Sequence, residues 1–334
     1  MKEEISILVH KENIGQRLDR FLHFVFNEAK DSFGHFLADN TSISVAGKLY
    51  GFTRSKFQKL LQGGNVCVNE KIILSKNYKV HMNDKISLSV PRQENLAAEA
   101  EDIPLEVVYE DDDLVVVNKP QGMVVHPAAG HQCGTLVNAL KFHFRDSLSR
   151  ISGESRLGIV HRIDKGTSGL LIVAKNDRAH IKLAQQIKEH SFLREYEAVI
   201  HGNLKKDSGK IAAPIGRDPN NRKKMCVIGR NSRWAITHFE VIKNFKGFAH
   251  ISLRLETGRT HQIRVHMSSI GHPVVGDPVY GPRKKLYEAL NNQCLHAKTI
   301  GFEHPETGEY IHLTSALPKA FEALLDQIKS PDSS

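Results

Sequence analysis

Paired cysteines and long apolar runs are what this 334-residue chain lacks. Its cysteines, Cys67, Cys133, Cys226 and Cys294, stand singly, and no C-x-x-C occurs. That pattern excludes a zinc knuckle, a redox pair and a disulfide scaffold as readings, and points to reduced thiols in a cytoplasmic protein. There is no H-E-x-x-H, and His261 and His266, five apart, would point to different sides of a helix. No metal site is therefore expected. The longest apolar runs, Leu170 to Ala174 and Leu114 to Val117, are the size of strands. A membrane span needs about 20 such residues, so none is expected. The opening Met1-Lys2-Glu3-Glu4 is charged and lacks the apolar core of a signal peptide.

What the chain does have is positive charge, unevenly placed. The net formal charge is +9. Between Lys205 and Ala235 nine cations (Lys205, Lys206, Lys210, Arg217, Arg222, Lys223, Lys224, Arg230, Arg233) meet two acids, Asp207 and Asp218. Between Arg92 and Asp113 the balance reverses, with nine acids and one cation. A dense basic segment broken by Gly and Pro marks a loop suited to lie on phosphates, so an anionic partner is expected.

Residues 14–90 read as one small unit. Ile14, Leu18, Phe21 and Leu22 fall at helical spacing with Arg17 and Arg20 beside them. A second helix is predicted from Thr53, a plausible N-cap, to Leu61. Its inner face is Phe57, Leu60 and Leu61, and Arg54, Lys56 and Lys59 lie outside. Short strands follow at Val66 to Val68 and Ile86 to Val90. The stretch 27–51 has weak periodicity and reads as an insertion, and 91–103, acidic and without an apolar period, as a linker. From 104 to 329 six strand-like segments outnumber four helical ones (135–144, 177–190, 260–270, 318–328) and do not alternate with them. That predicts an α+β fold with a mixed, mostly antiparallel sheet and helices packed on it.

Two runs carry the chemistry. In Leu157 to Lys175, apolar strand-like segments flank a polar core, Arg162-Ile163-Asp164-Lys165-Gly166-Thr167-Ser168-Gly169, so the acid Asp164 sits on a turn braced by strands. By itself such a run is as well explained by a surface turn. In Leu255 to His266 a strand turns at Gly258 and enters a helix, with Thr260 as a possible cap and Arg264 one turn inside. Alone, Arg264 reads as a solvent-facing helix cation.

Together they carry more. Gly158-Ile159-Val160-His161-Arg162-Ile163-Asp164-Lys165-Gly166-Thr167-Ser168-Gly169 resembles the H-R-L-D-x-x-T-S-G signature of RluA-type pseudouridine synthases, with Ile163 a conservative swap for Leu. Thr257 to His266, Val117 to Pro127, Gly271 to Asp277 and Leu295-His296-Ala297 resemble further segments of that family, in its order, over about residues 104 to 320. Residues 14–90 are similar to the small RNA-binding module of the ribosomal-protein S-four type, through Gln16-Arg17-Leu18-Asp19 and Val66-Cys67-Val68-Asn69.

The resemblance implies an isomerase that turns uridine into pseudouridine in RNA, without cofactor. The uracil must leave the sugar, rotate and rejoin through carbon. The family pattern puts the catalytic carboxylate at Asp164, acting as nucleophile, base or charge stabiliser. Arg264 is its implied partner, a bidentate guanidinium that keeps it ionised and aimed. Tyr196 is the implied pocket tyrosine, stacking on uracil and assisting the last proton removal; Leu295 is the apolar wall opposite. Arg162 is the residue implied to take the place of the extruded nucleotide. The module-plus-synthase layout resembles the RluC/RluD branch, which implies large-subunit ribosomal RNA as substrate rather than transfer RNA. A non-catalytic RNA-binding assembly factor, or a glycosidase releasing free base, would be the other classes; the single acid of the signature loop argues against the glycosidase.

Overall fold

The computed structural model describes residues 3–29, 35–38, 49, 52–90, 98–128, 130–145, 147–221, 224–282, 290 and 292–329, and the chain forms two units, Met1–Asn95 and Leu96–Ser334.

In the first unit β1 (Glu3–Leu8), β2 (Val66–Val68), β3 (Lys71–Ile72) and β4 (Lys85–Val90) make an antiparallel sheet in the order β1-β4-β2-β3. Helices α1 (Leu18–His23) and α2 (Arg54–Gln62) pack beside it. Leu18, Phe21, Leu22, Phe57 and Leu61 are buried as their helical spacing predicts. Ile14 is not: the chain turns at Gly15 (φ 80°), helix α1 begins only at Leu18, and Ile14 is left exposed. Arg54 also departs from expectation. Asp19 is fully buried and accepts from Arg17 Nε (3.1 Å), Arg54 Nη2 (3.0 Å) and Gln58 Nε2 (2.6 Å). Burial raises the Asp19 pKa, but these bonds outweigh it and hold the carboxyl below its usual range. Arg54 is thus engaged inside its unit instead of standing free on the helix face. Most of the expected 27–51 insertion lies outside the described residues.

The second unit is built on β5 (Glu106–Glu110), β6 (Leu114–Lys119), β7 (Ser168–Ala174), β8 (Leu193–His201) and β9 (Ser208–Ala212). The small strands β10 (Ile215–Arg217), β11 (Met225–Val227) and β12 (Ser232–Arg233) follow. The long strands β13 (Ile236–Phe245), β14 (Phe248–Leu255), β15 (Leu295–Glu303) and the short β16 (Tyr310–Thr314) complete the set. Nine of them form one sheet in the order β5-β6-β7-β15-β8-β14-β13-β9, with β16 on β15. The β7–β15 pair is parallel and its other pairs are antiparallel.

The apolar runs are continuous because the middle of this sheet is covered on both faces. Val115, Val117, Leu171 and Val173 face a core with α3 (Leu136–Phe144). Leu114, Val116, Leu170 and Ile172 face another, which holds Ala179 and Leu183 of α4 (Asp177–Glu189). Burying each such side chain contributes roughly 1.5–3 kcal/mol. Helix α5 (Gln262–Ser269) carries Arg264, and α6 (Lys319–Lys329) buries Phe321, Leu324 and Leu325.

Two expectations change here. Residues 98–103 are part of this unit rather than a free linker: Ala98 is in its core, and Glu101 accepts from the Gly134 amide at 3.0 Å. The basic segment 205–235 is not a plain loop either, since it forms β9 and the three-stranded sheet β11-β10-β12. No helix among the described residues is long and apolar enough to cross a membrane.

Candidate active site

The Asp164 turn is held from below by main-chain bonds. Thr167 N donates to the Asp164 carbonyl (3.0 Å), and Gly122 N donates to that of Lys165 (2.8 Å). Gln121 Nε2 donates to the Gly166 carbonyl at 3.0 Å. Lys119, with no exposed surface, sends Nζ to the carbonyls of Pro120 and Met123 (2.9 Å each) and Lys165 (3.4 Å). Burial pulls the Lys119 pKa down to about 7, against the opposing field of Asp164. His161 is half-buried, and its Nε2 accepts from the Ile172 amide at 3.1 Å. Burial, helped by Arg194, lowers its pKa to about 3, so the ring is neutral. At the far end Gly169 has φ +114° and lies against the Ala297 backbone so closely that no Cβ would fit. That contact is where β7 and β15 run parallel.

Helix α5 starts in an unexpected way. Its N-cap is His261, in the left-handed region (φ 56°), and Thr260 does not cap it. Gln262 does the work instead. Its Oε1 accepts from Arg259 N (2.9 Å) and Thr257 Oγ1 (2.8 Å), and its Nε2 donates to the Ile236 carbonyl (2.9 Å). This pins the helix start to β13 and directs Arg264 inward.

Arg264 reaches Asp164, with Nη1 2.9 Å from Oδ2. The bidentate partner expected of that pair is a different residue: Nε and Nη2 go to Asp277 Oδ2 (2.7 Å) and Oδ1 (2.9 Å). Asp277 is buried and also accepts from the amides of Val279 (2.9 Å) and Tyr280 (3.0 Å). Burial alone would weaken the Arg264 charge; the bonds and fields of Asp277 and Asp164 outweigh it and raise its pKa above the ordinary arginine value. The Tyr280 ring lies 5.1 Å from the guanidinium. The Tyr280 hydroxyl accepts from Met225 N (2.9 Å) and lies 2.8 Å from His261 Nδ1. Burial lowers the His261 pKa, so the hydroxyl proton is available to a neutral ring nitrogen.

Above this chain is a cavity of about 90 Å³. The structure brings all five expected residues to its wall: Arg162, Asp164, Tyr196, Arg264 and Leu295. Tyr196 (β8) and Leu295 (β15) are buried, whereas Arg162 is exposed at the rim. Burial, with some help from Asp164, pushes the Tyr196 hydroxyl up to about 12, so it is a neutral phenol. The lining adds two cations the sequence reading did not single out, Arg194 and Arg259. Arg194 is buried, donates from Nη2 to the Glu256 carbonyl (3.2 Å), and its Nε has no partner among the described residues. Among the described residues of the lining Asp164 is the only acid, against four arginines. Such a wall suits a polyanion whose reacting centre meets one carboxylate.

Asp111, Asp113 and His304 also bring ligand-type atoms within 4.8 Å of one another. Their polar atoms are already used: His304 Nδ1 accepts from the Glu306 and Thr307 amides, leaving Nε2–H for Asp111 at 2.8 Å. Asp111 Oδ1 accepts two further amides and Asp113 bonds Asn176. The group is a hydrogen-bonded joint, distant in role from the cavity.

The chain is similar to known proteins over most of its length. The family described as RNA pseudouridylate synthase matches residues 113–269, and the S4 domain matches residues 45–86. An uncharacterized RNA pseudouridine synthase of Bacillus subtilis is 44% identical over 326 residues, covering 98% of each chain. A ribosomal large subunit pseudouridine synthase D of Zymomonas mobilis is 44% identical over 85% of this chain and 92% of its own. Among solved structures, human RNA pseudouridylate synthase domain containing 1 aligns with a TM-score of 0.53 at 25% identity, covering 70% of this chain and 99% of its own.

Proposed function

This chain belongs to the RNA pseudouridylate synthase family, and we propose that it isomerises uridines of large-subunit ribosomal RNA with Asp164 as the catalytic carboxylate. Several relatives bear the name ribosomal large subunit pseudouridine synthase D at 37–44% identity over most of the chain, which supports the choice of RNA. The S4 match supports an RNA-binding role for the front of the chain, proposed here for residues 14–90 with the synthase unit following.

The observation that carries the chemical assignment is the Asp164–Arg264–Asp277 chain. In the reaction the C1′–N1 bond breaks, a C1′–C5 bond forms, C5 loses its proton and N1 gains one. No atom is added and no electron leaves. The carboxylate must be anionic whether it attacks the sugar, removes a proton or stabilises positive charge. Arg264 supplies a permanent positive neighbour because Asp277 and Tyr280 fix it independently of Asp164. Only Oδ2 of Asp164 is engaged; Oδ1 has no partner among the described residues and is the oxygen assigned to the substrate. Tyr196, neutral and on the cavity wall, serves to stack on uracil and accept a hydrogen bond rather than to stand as a base. Arg162 fills the place of the extruded nucleotide, and Leu295 closes the apolar side.

The test is Asp164→Asn, nearly isosteric. Pseudouridine formation on ribosomal RNA should vanish while folding and RNA affinity persist. Substantial residual turnover removes Asp164 from its role. Mapping pseudouridines in ribosomal and transfer RNA of cells with and without the gene decides the substrate: loss confined to transfer RNA refutes the ribosomal assignment.

A further inference from the structure

Tryptophan 234 is the only tryptophan of the chain and is 57% exposed. Large aromatics normally gain by burial, so an indole left in water on an ordered backbone calls for a reason. The backbone here is ordered from three sides. The Trp234 carbonyl accepts from Arg259 Nε (3.2 Å), the next carbonyl, Ala235, accepts from Ala213 N (3.0 Å), and Ile236 N donates to Thr257 Oγ1 (3.1 Å). Ala235 itself is fully buried. The side chain is therefore presented outward from a fixed mount and is not a loose loop tip.

Its position is informative. Arg259, which holds the Trp234 carbonyl, also lines the cavity that contains Asp164. The Trp234 backbone is thus tied to a residue of the cavity wall. Arg233 before it is exposed, as is Arg230. From Pro219 to Ala235 there are five cations and no acid. An exposed planar apolar face in a cation-rich, acid-free stretch of sequence fits an unpaired nucleobase with its phosphates, since bases stack on aromatic rings while the backbone follows positive charge. An acidic or apolar protein segment would use the charge or the ring, but not both.

We infer that Trp234 is a stacking platform for an unpaired base of the RNA, flanking the nucleotide that enters the Asp164 cavity. This deepens the proposed function and rests on RNA being the substrate. The indole adds a sequence-tolerant contact next to the site and helps keep the strand open while the target nucleotide is out of its stack.

The single tryptophan makes the test direct. In the full-length Asp164→Asn protein, where turnover cannot alter the ligand, Trp234 emission is followed during titration with a uridine-containing single-stranded RNA oligonucleotide and, separately, with inorganic polyphosphate. Emission should be quenched and saturable with RNA and nearly unmoved by polyphosphate. In the catalytically intact protein, Trp234→Ala should raise KM for RNA about tenfold with kcat unchanged, and Trp234→Phe should restore most of the loss. Emission that stays constant while filter retention shows RNA bound overturns the inference, as does equal quenching by polyphosphate or an unchanged KM in Trp234→Ala. Absence of pseudouridine from every RNA would defeat the proposed function instead, and the emission titration would still decide the platform.

Discussion

Asp277 holds Arg264 by two parallel hydrogen bonds, to Nε at 2.7 Å and Nη2 at 2.9 Å, while Asp164 receives one. The cation beside the catalytic carboxylate is thus anchored by a second acid behind it. Asp277→Asn should leave Arg264 poorly paired in a buried position, where removing one partner of an ion pair costs about 3–5 kcal/mol. Unfolding by denaturant should show a loss of that order, and kcat should drop roughly 100-fold because the pair that aims Asp164 is loosened. A variant with the kcat of the parent would show that Asp277 serves folding alone.

Arg264→Lys keeps the charge and discards the fork. An ammonium cannot reproduce two parallel bonds to Asp277 together with a third to Asp164. Turnover should fall by about two orders of magnitude with KM for RNA little changed. A fall in affinity at constant kcat would point to a binding role for the guanidinium instead.

Gly169→Ala places a methyl group where the Ala297 backbone already lies, at a φ of +114°. Strain and collision add, and a loss of several kcal/mol is expected. Thermal unfolding should register it plainly. A melting temperature within a degree or two of the parent would mean that β7 and β15 can separate without cost.

His161 sets an acid limit. Its folded pKa is lowered to about 3 from 6.5, so below pH 6.5 the unfolded chain takes up a proton that the folded chain refuses. The stability it contributes is complete above pH 6.5 and is lost as pH falls toward 3. The slope from this one group is at most about 1.4 kcal/mol per pH unit. His126 and His296, both lowered by burial to about 4, add in the same direction. Denaturant unfolding between pH 7 and 4 should be steeper for the parent than for His161→Gln, whose amide oxygen can still accept from Ile172 N without titrating. Equal slopes would place the acid sensitivity elsewhere.

The parts of this molecule that could be read in advance are those where one residue type has one strong reason to be there. Leu114 to Val117 and Leu170 to Ala174 are buried strands because their apolar runs allow little else. Asp164, Arg264, Tyr196 and Leu295 came from motifs, and the fold does gather them at one cavity. Asp277 went unnoticed as a partner because an acid before proline reads as a turn residue, and its link to Arg264 is set by packing. Lys119 was hidden for the opposite reason, since lysine is rarely buried and only three converging carbonyls make the position tolerable. Strands β10 to β12 are two or three residues long and partly exposed, so no alternation announces them. The cap of α5 misled because Gln262 acts from inside the helix, a role that spacing rules give to the residue before it.

The place of β15 bears on biosynthesis. It lies between β7 and β8, which precede it by about a hundred residues or more, and it contributes Leu295 to the cavity. Until Leu295 to Glu303 leave the ribosome, β7 and β8 each expose an open edge, and the pocket lacks a wall. A nascent chain can complete its front unit while the reaction centre is still unmade, so a translation product cut short anywhere before that strand would be catalytically silent, however well its front unit holds RNA.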